Sequence, residues 1–471
     1  MPRIQNRRVL AAVEHGEPDH GRADLPLRMQ AAVGQRTPVP DGVADELGKA
    51  QLGISHALGR NAQRVELLTE APPGAPGTFW AVGKGKRGHP WDTPAARESL
   101  GEVPGTNRRQ TVSAGDEPPV SNGTGSKTST ETSTVVVVDA GIAGVACARA
   151  LARQGVRVEL RERARHAGGR MASPVINGRV TDTGASYFTV SDASAAPDGG
   201  SAADGFRAVV DDWVERGLAR PWTDRFPVLA GDGLGEPKPG PVRYAAPGGL
   251  RALVNDLLER AAHETGDRLL PRFGEEVRAV GPGPTVDGTP VAAVVLAMPD
   301  PQALRLLDPA LEPERAVLGG REWEPVLALV AGWAERTWPE LDGAFVADDP
   351  VLGWLADDGR RRGDGAPVLV AHSTSPFAAQ HLGDPAAAAP EMVAAVDRLL
   401  GTGAPGAAQV RRWSYARPSA TREAACHVGA ARVGFAGDGW GSAKVQTAYA
   451  SGEALGRVLA GELGSSAGST G

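Results

Sequence analysis

The residues best spaced for chemistry in this 471-residue chain lie between Asp139 and Glu162. Gly141 and Gly144 stand in the turn D-A-G-I-A-G, directly after four valines, and Glu162 follows Gly141 by roughly 20 positions. Glycine at 141 lets a pyrophosphate approach the backbone, and glycine at 144 lets a helix pack close to a strand. The turn and helix start, Ala140, Gly141, Ile142, Ala143 and Gly144, offer N–H groups and the positive end of a helix dipole to phosphates. Glu162 is placed to accept hydrogen bonds from a ribose. This is the chemistry of dinucleotide binding. One position departs from it, because the fingerprint wants glycine where the chain has Asp139. Aspartate tolerates unusual backbone angles, but it sets a negative charge beside the pyrophosphate position.

Those residues need a strand, a turn, a helix and a second strand to hold them. Residues 135–138 read as a fully buried strand of a parallel sheet. Residues 142–155 read as an Ala/Leu-rich helix stopped by Gly155, and 156–160 as the next strand. Beyond them, Gly168-Gly169-Arg170 combines backbone N–H groups able to face an anion with a cation. Residues 180–188 form a strand-like run with a glycine turn, 191–205 a flexible loop, and 206–217 an amphipathic helix. A Pro-Gly turn opens a helix within 244–260. Strands are expected at 272–280, 291–298, 323–333, 367–372, 409–415 and 432–438, and a last helix at 444–463. The run Arg360-Arg361-Arg362 reads as a solvated loop, with a phosphate site as the alternative.

Residues 1–133 show no comparable pattern. Short helices are expected at 7–13 and 43–58, and 113–133 has the composition of a linker. The segment reads as a disordered extension or a start assigned too far upstream, with a small partner-binding module as the alternative. A net charge of −6 argues against nucleic acid or a charged membrane surface as main partner. No apolar run reaches about 18 residues, so no membrane span is expected, and the first residues lack the apolar core of a signal peptide. Two cysteines exclude a disulfide framework and a four-cysteine zinc site. No metal is expected, and the compartment is read as cytoplasmic.

A string of motifs then points further: V-V-V-V-D-A-G-I-A-G at 135–144, Glu162, G-G-R-M at 168–171, D-T-G-A-S-Y-F at 182–188, A-P-G-G-L at 246–250, A-M-P-D-P-Q at 297–302, R-W-S-Y-A-R-P at 412–418 and A-G-D-G-W at 436–440. In this order they resemble a renalase-type member of the flavin-dependent amine oxidase superfamily, over roughly 134–462. The resemblance implies an α/β fold: a Rossmann-type FAD-binding domain assembled from separated segments, with an inserted, mostly β substrate domain. The FAD-binding segments would be 134–190, 244–304 and 426–463. The substrate domain would be 191–243 and 305–425, and 464–471 a tail.

It further implies non-covalent FAD. Gly141 and Gly144 would flank the pyrophosphate, and Glu162, followed by Arg163, would hold the adenosine ribose. Gly168, Gly169, Arg170 and Met171 would line the phosphates and the flavin edge. Val277 would offer backbone bonds to adenine. Gly437 and Asp438 would bind the ribityl or pyrophosphate part, and the helix start at Lys444 and Val445 would face the flavin ring. Gln446 and Thr447 stand where the resemblance expects an acid and a glycine.

The expected reaction takes a hydride from a dihydro-nicotinamide or an amine to flavin and passes the electrons to molecular oxygen. Such chemistry needs positioning and water exclusion more than a catalytic triad, and none is visible. Tyr187, Trp413, Tyr415 and His372 are the pocket candidates, with Trp323 and Trp354 as further aromatic walls. Core packing is the alternative role for each aromatic, and a hydrogen-bonded structural role for His372. Two other functions stay open: an amine oxidase or desaturase-like flavoenzyme, and a non-enzymatic remnant that lost FAD through Asp139. A plain NAD-dependent dehydrogenase would leave the G-G-R and Gly-Asp motifs unexplained.

Overall fold

The computed structural model describes residues 133–191, 201–231 and 233–468, without the side chains of 201–204 and 466–468. The expectations for 1–132 lie outside these residues. The central feature is a six-stranded sheet in the order Leu269–Phe273, Arg157–Glu162, Thr134–Val138, Ala293–Leu296, Val433–Phe435, His427–Val428. Every neighbouring pair is parallel except the last. The four valines form its middle strand, and Val135 and Val137 are fully buried. Strands covered on both faces carry continuous apolar runs, which is why this one does not alternate.

The helix Ile142–Arg153 follows as expected, and Gly155 takes a φ of 86° just past its end. It packs against the last helix, Val445–Gly468, and close approach there depends on small residues. A Cβ on Gly452 would run into the backbone of Ala143, and one on Gly456 would lie 2.7 Å from the carbonyl oxygen of Cys147.

A second, seven-stranded sheet runs Ala407–Pro418, Trp323–Gly332, Val368–Ser373, Leu352–Asp357, Gly343–Val346, Val228–Ala230, Gly233–Leu234. Its buried side includes Leu327, Leu329 and Leu369 and meets the helix Ala389–Leu400 through Met392 and Val396. Phe188–Thr189, Lys238–Ala245 and Arg220–Phe226 form a smaller sheet.

Several boundaries differ from the sequence reading. The strand expected over 272–280 is Leu269–Phe273, because Gly274 turns the chain with a φ of 75°. The loop expected to 205 ends earlier, since a helix runs Ser201–Glu215. The strand-like run 180–188 is mostly irregular, with regular strand only at its two ends, Val180 and Phe188.

The largest correction concerns the triple arginine. The run lies within a short helix, Asp358–Arg362, in which Arg361 is fully buried and Arg362 only 8% exposed, so it is not a solvated loop. Arg361 pairs with Asp358 and donates to the carbonyl oxygens of Ser186 and Asp182. Arg362 donates to the Pro247 carbonyl at 2.6 Å and faces Asp182 at 3.6 Å. Buried guanidinium groups require such carboxylate and carbonyl partners. The same contacts tie the second sheet to the 182–188 segment.

Among the described residues no helix is long and apolar enough to cross a membrane. None of their His, Cys, Asp and Glu side chains group as a metal site would require.

Candidate functional site

The turn after the first strand is held by its own polar groups. Glu162, ending the adjacent strand, accepts from the N–H of Ala140 at 2.9 Å and of Ala164 at 2.8 Å. Asp139 adopts a φ of 84°, the left-handed region where its missing glycine would sit without strain. Its Oδ1 accepts the N–H of Gly141 at 2.9 Å. A Cβ on Gly144 would collide with the Asp139 carbonyl, so helix and turn meet here only through glycine. Ile142, Ala143 and Gly144 are buried, and their helix-opening N–H groups find no acceptor among the described residues.

The Gly168-Gly169-Arg170 loop docks on this turn. Gly168 donates its N–H to the Ala140 carbonyl at 2.9 Å, and a Cβ on Gly169 would lie 3.1 Å from Gly141 Cα. Both glycines have positive φ, 135° and 51°. Met171 is buried beneath the loop. Arg170 reaches across to Asp438 in a two-pronged pair of 2.8 and 2.5 Å, donates to the Ala416 carbonyl, and stacks over Trp323 at 5.3 Å. Asp438 follows the strand Val433–Phe435, and Gly437 holds its φ of 142° with its N–H on Ser451 Oγ. The first strand, the G-G-R loop and the C-terminal Gly-Asp thus meet at the carboxyl end of the parallel sheet, where open α/β sheets bind ligands.

The remaining expected cofactor residues are more dispersed. Val277 buries its side chain while its backbone makes no hydrogen bond among the described residues. Arg163 is exposed near the turn. Lys444 is exposed, and Val445 starts the last helix. Gln446 is buried and accepts from the N–H and hydroxyl of Ser191 at 2.8 and 3.0 Å.

Asp139 is the electrostatic anomaly. Burial in the turn, and the Glu162 carboxylate beside it, push its pKa up to about 7 despite the Gly141 hydrogen bond and the charges of Arg170 and Arg163. Near neutrality this carboxyl shares its time between a charged form and a neutral form able to donate to a phosphate.

Three of the pocket candidates converge on the 182–188 segment. His372 Nε2 and Trp413 Nε1 both reach the Thr183 carbonyl, at 3.1 and 2.9 Å. The carbonyl fixes the His372 tautomer with its proton on Nε2. Burial, then the Arg361 charge, hold its pKa down to about 4, so His372 is neutral at pH 7. His372 also packs against Trp354 at 5.1 Å, and Trp354 faces Tyr187 at 6.2 Å. Trp413 limits the space beside Gly184, which lies against the Arg170 carbonyl. Tyr415 stands apart and hydrogen-bonds Arg305 at 3.2 Å.

Residues missed in the sequence include Arg321, buried against Asp300 with its Nε at 2.8 Å and bonded to the Gly439 carbonyl. Arg251 was also missed; its side chain packs on Gly168. Only an Arg at each position, with no local motif, marks them in the sequence.

Residues 137–197 match a family model described as an NAD(P)-binding Rossmann-like domain. Among solved structures, a protein from Exiguobacterium sp. 255-15 described as a candidate protoporphyrinogen oxidase is similar with a TM-score of 0.54 and 15% identity, over 70% of this chain and 99% of that one. Putrescine oxidase bound to putrescine is similar with a TM-score of 0.50 and 15% identity, over 71% of this chain and 99% of that one. A double mutant of putrescine oxidase, redesigned in cofactor binding, gives a TM-score of 0.50 at 17% identity, over 71% and 100%. At these identities the likeness establishes the fold: a parallel Rossmann-like sheet with an attached β-rich half.

Proposed function

We propose that the chain is an FAD-dependent oxidoreductase of renalase type, an oxidase that takes a hydride from a dihydro-nicotinamide or an amine and passes electrons to oxygen. The observation that carries this reading is the set of N–H groups without acceptors among the described residues at the buried positions Ile142, Ala143 and Gly144, flanked by the Gly168–Gly169 loop and the Arg170–Asp438 pair. Buried N–H groups without acceptors are rare in folded proteins, and a helix N-terminus suits phosphate.

The residues fit an adenine dinucleotide at all points but one. Ile142, Ala143 and Gly144 would hold the pyrophosphate, Glu162 the adenosine ribose, and the Val277 backbone the adenine. Arg170, Asp438 and the Lys444–Val445 helix start would bind the remainder. At Asp139 the fit requires the neutral carboxyl, which can accept the Gly141 N–H and donate its own proton, whereas the charged form repels phosphate. Bound FAD supplies hydride acceptance and reoxidation by oxygen. The protein's own part is positioning. Neutral His372 and Trp413 fix the Thr183 carbonyl, and the aromatic wall around Tyr187 excludes water from the substrate side.

We assign 134–190, 244–304 and 426–463 to the cofactor half, and 191–243 with 305–425 to the substrate half. The unpaired thiols of Cys147 and Cys426 support a reducing, cytoplasmic setting.

The test is the visible spectrum of the full chain and of Asp139→Gly after incubation with FAD and desalting. Flavin peaks near ~375 and ~450 nm in the unaltered chain are expected. Peaks in the variant alone would favour the second reading that Asp139 supports, a fold that has lost its cofactor. Folded protein without flavin in either form would sink the oxidase reading.

A further inference from the structure

Five tryptophans in the structure satisfy their indole N–H: Trp213 on Asp256, Trp323 on Asp300, Trp333 on the Gly403 carbonyl, Trp338 on Asp357 and Trp413 on the Thr183 carbonyl. Trp222 and Trp354 do not, although both nitrogens are fully buried. These two are neighbours. Each packs against Tyr187 with centroids 6.2 Å apart, and both pack on Phe226, at 5.4 and 6.5 Å.

A buried cation packs on the same two rings, Phe226 and Tyr187. Arg243 is 8% exposed, with its guanidinium 4.0 Å from the Phe226 ring centre and 5.5 Å from that of Tyr187. Arg361 and Arg362 are at least as buried but face carboxylates. Arg243 has no carboxylate partner among the described residues. Its Nε is unbonded, and its one hydrogen bond is a long 3.4 Å contact to the Pro241 carbonyl. A guanidinium and two indole N–H groups are donors only, and leaving such groups buried without acceptors is costly. Tyr187 and Trp222 remain half-buried.

We propose that Arg243, Trp222 and Trp354 form the recognition face for a carboxylate carried on a flat, apolar substrate body. Phe226 and Tyr187 supply the apolar wall. The face contains no acid, so it disfavours the ammonium group of an alkylamine. Its Tyr187 belongs to the 182–188 segment, whose Gly184 abuts the Arg170 carbonyl. As a substrate subsite it rests on the oxidoreductase reading; as a binding face it does not.

The experiment is titration of the full chain with benzoate, benzyl alcohol and benzylamine, followed by tryptophan fluorescence, with and without added FAD. Benzoate should bind at least about tenfold more tightly than either neutral or cationic analogue. Arg243→Met should abolish that preference, and Trp222→Phe, which removes one N–H and keeps an aromatic ring, should weaken benzoate alone. Circular dichroism melts check that the variants fold. Equal binding of the three probes, no benzoate binding, or benzoate binding unchanged in both variants would overturn the proposal. A benzoate preference in protein that retains no flavin would keep the face and reject the oxidase reading, so the two fail separately.

Discussion

Asp139 places a titrating carboxyl among N–H groups suited to phosphate. Its pKa rises from 3.8 unfolded to about 7 folded, so the stability it contributes is complete below 3.8 and is lost as pH climbs through 7. Asp139→Asn keeps an oxygen for the Gly141 N–H and tolerates positive φ, but has no proton to lose. The variant should match the natural chain near pH 4 and exceed it by about 1–2 kcal/mol at pH 8, since Asp139 is only half-buried and water screens part of its charge. Urea unfolding at both pH values measures this, and the same gain at pH 4 would refute the assignment. FAD affinity should fall above pH 7 in the natural chain and stay flat in the variant. At this scale, sequence alone flagged Asp139 as the departure from the fingerprint. It could not show the burial of Arg361, whose carbonyl partner Ser186 is 175 positions away. Replacing Arg361 by Met leaves Asp358 and Asp182 facing one another's surroundings with less compensation, and should cost about 3 kcal/mol in the same assay.

Among elements, the contact between the helices Ile142–Arg153 and Val445–Gly468 sets the position of the phosphate-facing N–H groups. A methyl at Gly452 meets only backbone, with the Ala143 carbonyl carbon 2.8 Å away, so neither helix can yield by rotating a side chain. Gly452→Ala should therefore lower stability by about 2–3 kcal/mol and weaken FAD retention together. Gly461→Ala, in the same helix with open space around it, should be neutral or slightly stabilising. Equal melting temperatures for the two variants would show that the helices do not meet as closely as described. The βαβ unit was legible because its signals are local: an apolar run, small turn residues and an Ala-rich helix. Gly343–Val346 and Leu352–Asp357 escaped notice because short strands between Asp- and Gly-rich turns carry little pattern of their own.

For the whole molecule, motif order along the chain pointed to the α/β class, since V-V-V-V-D, Glu162, A-M-P and A-G-D each lie at the carboxyl end of a strand of the parallel sheet, whereas G-G-R-M, D-T-G-A-S-Y-F, A-P-G-G-L and R-W-S-Y-A-R-P lie outside it. The donor face around Arg243 was not legible. Its members come from Arg220–Phe226, Lys238–Ala245, Leu352–Asp357 and the 182–188 segment, and no local spacing joins them. The same dispersal shapes synthesis. Val433–Phe435 pairs directly with Ala293–Leu296, yet more than a hundred intervening residues must leave the ribosome first. Until then the nascent chain carries an apolar strand with one open edge, at which an identical chain could pair. The strand Val433–Phe435 therefore both leads into Asp438 at the candidate site and covers the edge that Ala293–Leu296 would otherwise leave open.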